Sequence, residues 1–272
     1  MKKESILLAM LALVLVFGLA FVSCVDGNGT QGGGDTQGGG SNPPGNGTDE
    51  QGIYYTLDSN KTYYNVYSYS GTGAVVVIPA TFNGLPVRAV FSRAFQNNDI
   101  ITSVTIPSSV TAIGSTAFYR CTSLTSVNIP SGVTSISSST FGLCTSLANI
   151  TLPSSVTSIG SGAFFRCTSL TSVTLPANVR TIGSSAYKDC TSLSSFTISE
   201  SVWSIDYEAF AGCTRLSSIT IPSGVESVGP ATFSGWTFSQ TIYVQGEANE
   251  TAADAVWPNW RFGCNANIVY GQ

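Results

Sequence analysis

Residues 103–122 read SVTIPSSVTAIGSTAFYRCT (Ser103–Thr122), and the pattern returns every 23 residues. Cys121, Cys144, Cys167, Cys190 and Cys213 keep that spacing. So do the aromatics Phe118, Phe141, Phe164, Tyr187, Phe210 and Phe233, and the pairs Ile106-Pro107, Ile129-Pro130, Leu152-Pro153, Leu175-Pro176, Ile198-Ser199 and Ile221-Pro222. A fixed period of this length predicts a solenoid in which each repeat is one coil that buries its apolar residues against its neighbours.

One repeat reads as a cross-section of the coil. The alternation Val127-Asn128-Ile129 predicts a short strand with two residues facing inward. Pro130 stops it and turns the chain. Val133 and Ile136 add two inward contacts, and Gly114, Gly160, Gly183 and Gly229 predict a tight corner. Ala117-Phe118 carries the largest apolar side chain, expected on a helical or 3₁₀ turn, and Cys121 and the next leucine close the coil.

The first repeat holds five extra residues, because Ile78-Pro79 stands 28 before Ile106-Pro107. The surplus fits around Phe82-Asn83-Gly84-Leu85, after which Val87, Val90 and Phe95 are back in register with Val110, Ile113 and Phe118.

The motif Leu-x-x-Val-x-Ile-Pro-x-x-Val-x-x-Ile-Gly-x-x-Ala-Phe-x-x-Cys resembles the 23-residue leucine-rich repeat of BspA-like bacterial surface proteins. The resemblance covers about Ala74 to Thr237. It implies an α/β-type repeat solenoid, curved and built on short parallel strands, with a β-rich N-terminal cap and a C-terminal cap. The family includes secreted and lipid-anchored surface proteins, several of them adhesins for fibronectin, fibrinogen, epithelial cells or other bacteria. It supplies no catalytic residues to carry over.

The segments outside the repeats give the expected domain order: 1–23 a lipoprotein-type signal peptide, 24–51 a Gly-rich disordered tether, 52–73 the N-terminal cap, 74–238 the solenoid and 239–272 the C-terminal cap. Lys2 and Lys3 precede the apolar run Ile6–Val22, which ends at Phe21-Val22-Ser23-Cys24. That ending resembles a bacterial lipoprotein signal with Cys24 as the lipidated residue, although Phe21 stands where the family prefers Leu. Ordinary signal cleavage and a short uncleaved anchor are the alternatives. The tract from Val25 to Gln51 is too poor in apolar residues to bury a core and would span ~30 Å as a Gly-rich coil. Ile53–Thr56 and Tyr63–Tyr69 read as aromatic strands around the turn Asp58-Ser59-Asn60, a cover for the first coil. Beyond Ser239, Thr241–Val244 reads as a last strand, and Trp257, Trp260 and Phe262 supply the bulk of the exit.

Composition excludes several functions. The chain carries 11 basic and 15 acidic residues among 272, for a net charge of −4, and no basic stripe for nucleic acid. It has no histidine, so neither a Ser-His-Asp nor a Cys-His site can be assembled, and no enzymatic activity, cofactor or small-molecule substrate is expected. Coils spaced ~4.8 Å apart would bring column cysteines close enough to pair. Five thiols stacked in a line give poor disulfide torsions, however, and zinc needs ligands that converge on a point. Buried free thiols are the expectation, with no metal site.

What remains is the outward surface. Thr105, Asn128, Thr151, Thr174, Thr197 and Thr220 form one outward column on the strand, beside Ser103, Ser126, Asn149, Ser172, Ser195 and Ser218. A third column runs Thr111, Thr134, Thr157 and then changes to Arg180, Trp203 and Glu226. An outward Trp between opposite charges is the type of anchor that dominates interfaces. Arg180, Trp203 and Glu226, with Thr151, Thr174, Thr197 and Thr220, are therefore the candidate binding face. Tyr119, Arg120, Phe165 and Arg166 form a second exposed group. The expectation is a lipid-anchored envelope protein, on the outer surface or facing the periplasm. It would bind a host matrix or cell-surface protein, or another cell. The alternative is a structural or assembly component of the envelope.

Overall fold

A computed structural model describes residues 46–247 and 249–271. Cys24, the signal segment and the tether as far as residue 45 lie outside the described residues. The rest belongs to one compact unit, Asn42–Gln272.

Each repeat is one coil with a wall of turns, and most coils carry two short strands. In the first strand column Val75–Val77, Ser103–Thr105 and Ser126–Val127 pair in parallel, Ser172–Thr174 pairs with Ser195–Thr197, and Ser218–Ile221 pairs with Thr241–Val244 and then Asn267–Tyr270. The second strand column was not expected as a strand. Ser135–Ile136, Ser158–Ile159, Thr181–Ile182, Ser204–Ile205 and Ser227–Val228 form one unbroken parallel sheet. Ile136 and its equivalents face inward, and the stacked coils bring their peptides into register.

The expected helical turn at Ala117-Phe118 is replaced by turns that bond from coil to coil. The N–H groups of Thr116, Phe118 and Arg120 donate to the carbonyls of Ser138, Thr140 and Gly142 on the next coil, while those of Ala117, Tyr119 and Cys121 donate back within their own turn. A helix would direct every N–H within its own turn and leave the coils unlinked on this side. The alternation needs two left-handed residues per coil, such as Thr116 (φ 56°) and Arg120 (φ 58°), then Ser139 (φ 52°) and Leu143 (φ 61°). The α-helix among the described residues is Glu250–Val256, N-capped by the side chain of Asn249.

The expected corner glycines have a different reason as well. Gly160 does not adopt a left-handed conformation; a Cβ there would lie 2.7 Å from the Ser138 nitrogen and 2.8 Å from the Ile136 oxygen on the preceding coil. Small size at the coil contact, not backbone freedom, is what the position needs.

Inside, Phe95, Phe118, Phe141, Phe164, Tyr187, Phe210 and Phe233 stack with centroids 5.1–5.9 Å apart and planes within 12°. Stacked pairs of this kind contribute roughly 0.5–1.5 kcal/mol each beyond area burial. The five column cysteines are free and buried. Each Sγ donates to the aromatic residue's carbonyl on the preceding coil, Cys121 to Phe95 at 3.0 Å, Cys144 to Phe118 at 3.1 Å and so on to Cys213 with Tyr187. Trp236, which takes the cysteine place in the last repeat, donates its indole Nε1 to the equivalent carbonyl of Phe210 at 3.0 Å.

At the first coil, Ile53–Leu57 and Tyr64–Tyr69 pair antiparallel, and the second of these runs parallel to Leu85–Val90. The surplus residues form a hairpin, with Asn83 (φ 47°) and Gly84 (φ 79°) at its turn; Phe82 stacks on Tyr55 at 4.0 Å. Folded structure begins earlier than the expected boundary at Gly52. Gly47–Thr48 pairs with the Ile53–Leu57 strand, the Asp49 carboxylate accepts from the Ile53 and Gln51 N–H groups and the Tyr55 hydroxyl, and Asn46 accepts from the Leu57 N–H. Residues 46–51 thus belong with the hairpin and not with the tether, because their polar side chains satisfy its backbone. The Gln51 amide also bonds both the N–H and the carbonyl of Val77, closing the edge of the first strand.

Candidate functional site

The candidate residues fall into two places. Thr151, Thr174, Thr197 and Thr220 are all exposed in the first strand column, as expected for the outward position between two inward ones. The structure divides that column. The ladder breaks after Val127, where only an isolated bridge joins Asn149 to Ser172, and again between Thr197 and Ser218. The side-chain amide of Asn128 bonds the Ile106 N–H and carbonyl on the preceding coil at 2.7 Å each, so it extends the intact ladder there and does not span the first break. Beside it lies a shallow groove of about 480 Å³ lined by Asn149, Thr151, Ser154, Ser172, Thr174 and Pro176, among others. Its walls are neutral and it contains no titratable group.

Arg180, Trp203 and Glu226 stand elsewhere, each immediately before a strand of the second column. Backbone bonds hold them in line: the N–H of Arg180 donates to Thr157, that of Trp203 to Arg180 and that of Glu226 to Trp203, at 2.8–3.0 Å. All three side chains are exposed, and Trp203 keeps 46 % of its surface accessible, whereas Trp236, Trp257 and Trp260 are buried. Among the described residues neither Arg180 nor Glu226 takes part in an ion pair.

Two residues of this surface were missed in the sequence. Arg88 heads the column, since the Thr111 N–H donates to its carbonyl at 2.9 Å. The register of Val87 with Val110 contained that signal. Tyr207, 49 % exposed, interrupts a column of serines (Ser115, Ser138, Ser161, Ser184) in the coil that carries Trp203. A hydrogen bond to Glu208 raises its phenol pKa.

The other exposed group is largely satisfied within the chain. Arg166 lies over the Phe165 ring at 5.1 Å and pairs with Asp189 at 3.2 Å. Tyr119 is half-buried, its ring 3.0 Å from where a Cβ of Gly142 would lie. Arg120 occupies one of the left-handed turn positions. Lys188 pairs with Glu208 and holds that carboxylate below its usual range.

The cysteines offer no reactive thiol in the column. Burial pushes Cys121 and Cys190 up to about 12 and raises Cys144, Cys167 and Cys213 as well. Among the described residues no cluster of three or more His, Cys, Asp or Glu is placed to hold a metal. None of the described helices is long and apolar enough to cross a membrane.

Stacked parallel strands and a 23-residue coil define a β-solenoid of the leucine-rich-repeat class. Comparison with known families is specific: the BspA type leucine rich repeat region matches residues 88–217 and 157–256, in six copies, and the chain belongs to that family. Among solved structures it is similar to a Treponema pallidum leucine-rich repeat protein, at 31 % identity over 81 % of this chain and 97 % of that one, with a TM-score of 0.66. It is also similar to a leucine-rich repeat protein from Bacteroides ovatus, at 25 % identity over 81 % and 70 % of the two chains, with a TM-score of 0.61. Comparison with curated proteins returns no significant match.

Proposed function

We propose that this protein is a lipid-anchored binding module of the bacterial cell surface, whose array presents the Arg180–Trp203–Glu226 column to a protein on a host matrix or on another cell. Leucine-rich repeats are in general protein-interaction modules, and the observation that carries the reading here is Trp203. A large aromatic, half exposed, stands in what begins as a threonine column, with opposite charges on either side that make no ion pair among the described residues. Aromatic and arginine anchors of this kind contribute most of the energy at protein interfaces, and a rim of small polar residues excludes water around them. The neutral threonine face and groove would add weak contacts along the array. Cys24 and the Gly-rich tract supply the anchor and tether in this reading.

The test uses the full chain expressed in a non-adherent bacterium. Protease added to intact cells should remove the repeats, the cells should adhere to fibronectin or fibrinogen coats, and Cys24→Ser should release the protein from the membrane fraction. Protection from protease together with no gain in adherence would overturn the proposal and leave the envelope-assembly role.

A further inference from the structure

The charge order along the column carries a second consequence. Arg180, Trp203 and Glu226 occupy successive coils, so the backbones that carry the two charges lie ~10 Å apart, one on each side of Trp203. The positions before them in the column, Thr111, Thr134 and Thr157, are neutral and exposed. Both charges are unpaired among the described residues. A cation, an aromatic and an anion in this order are complementary to a reversed copy of themselves.

Resting on the reading of this column as the binding surface, we infer that its partner is a second copy of this chain, docked face to face about a two-fold axis that runs along the coil through Trp203. That axis reverses the column. It sets Arg180 of each copy against Glu226 of the other and Trp203 against Trp203, which gives two ion pairs around a central aromatic contact. The other in-plane axis, along the array, would set arginine on arginine and glutamate on glutamate, and like charges in contact repel. The contact is isologous, so it closes at two copies and does not propagate into a fibre. Tyr207, on the coil that carries Trp203, is carried to the same side of the contact in both copies. Exposed ion pairs contribute little on their own, so the indole contact supplies most of the affinity and the charges set the direction.

The antiparallel arrangement has a functional meaning. It points the N-terminal coils of the two arrays in opposite directions. With an anchor at the N-terminus, it joins arrays that rise from two different surfaces, and many weak pairs between two cells act together. The module is thus homotypic, linking cells that carry the same protein.

Sedimentation velocity of the compact unit Asn42–Gln272 tests this by charge exchange. The unchanged chain should form dimers as its concentration rises. Arg180→Glu and Glu226→Arg should each weaken self-association by at least about tenfold, and higher salt should weaken the unchanged dimer. Mixed in equal amounts, the two single variants should pair again, because each then supplies the charge the other lacks. The inference falls if the unchanged chain stays monomeric, if either single variant dimerises as it does, or if the mixture fails to pair. If it falls while Trp203→Ala still abolishes binding to fibronectin or fibrinogen, the column remains the binding surface and only the identity of its partner changes.

Discussion

At Tyr187 the repeat departs from phenylalanine, and the hydroxyl finds no hydrogen-bond partner among the described residues. The ring is fully buried in the aromatic stack and meets Phe196 edge-on at 4.9 Å. An unsatisfied buried hydroxyl costs roughly 1–3 kcal/mol, so Tyr187→Phe, the residue used by the neighbouring coils, should raise stability by about 1 kcal/mol. Urea unfolding of the two chains checks this, and a loss of stability of similar size would show that the hydroxyl is bonded. Single residues are also where the sequence was hardest to read. Thr116 and Leu143 adopt left-handed backbone angles that disfavour side chains of their type, and nothing in their identity announces it. The coil-to-coil bonds of the turn wall impose those angles, and such bonds exist only once the coils are stacked. The reason for Gly160, close approach of the preceding coil, is hidden for the same cause.

At the scale of the coil, the inward positions were legible because burial enforces them at fixed spacing: Val127 and Ile129, the aromatic column and the cysteines. The second strand was not. It is two residues long in each repeat, too short for an alternation to show, and becomes a sheet only when Ser135–Ile136 meets Ser158–Ile159. The role of the thiols is also a coil-to-coil property, and Trp236 makes it clear by offering an indole N–H to the same acceptor. Burial has a further effect on the thiols. Their folded pKa values lie above the ordinary 9.0, reaching about 12 at Cys121 and Cys190. A raised value stabilises the fold fully below the unfolded pKa, and that stability is lost as pH rises through the folded one. Stability should therefore fall between about pH 9 and 12, by about 1.4 kcal/mol per pH unit for each buried thiol. Urea unfolding at pH 8, 9 and 10 measures the slope, which Cys190→Ala should make shallower. A curve flat from pH 8 to 10 would contradict the buried, neutral column.

For the molecule as a whole, the two ends and the outer surface carry what the repeat does not specify. The first coil is closed by a hairpin, by Phe82 on Tyr55 and by the Gln51 amide on Val77. The sequence placed the hairpin but began it too late, because Asn46 and Asp49 look like tether residues until their bonds are seen. The outer columns are exposed, and the candidate residues stand in two separate columns, as the spacing of the repeat had them. Trp203 was found because it breaks a column, and the same logic one column further on picks out Tyr207. Inward residues specify the coil, and the functional reading rests on outward ones free of that duty. The most direct test is the binding of Asn42–Gln272 and its Trp203→Ala variant to immobilised fibronectin, fibrinogen and the unchanged chain, with urea unfolding of both as the companion readout. If Trp203 is the surface anchor, the variant binds at least about tenfold more weakly with the unfolding midpoint unchanged. Equal binding by the variant would contradict it.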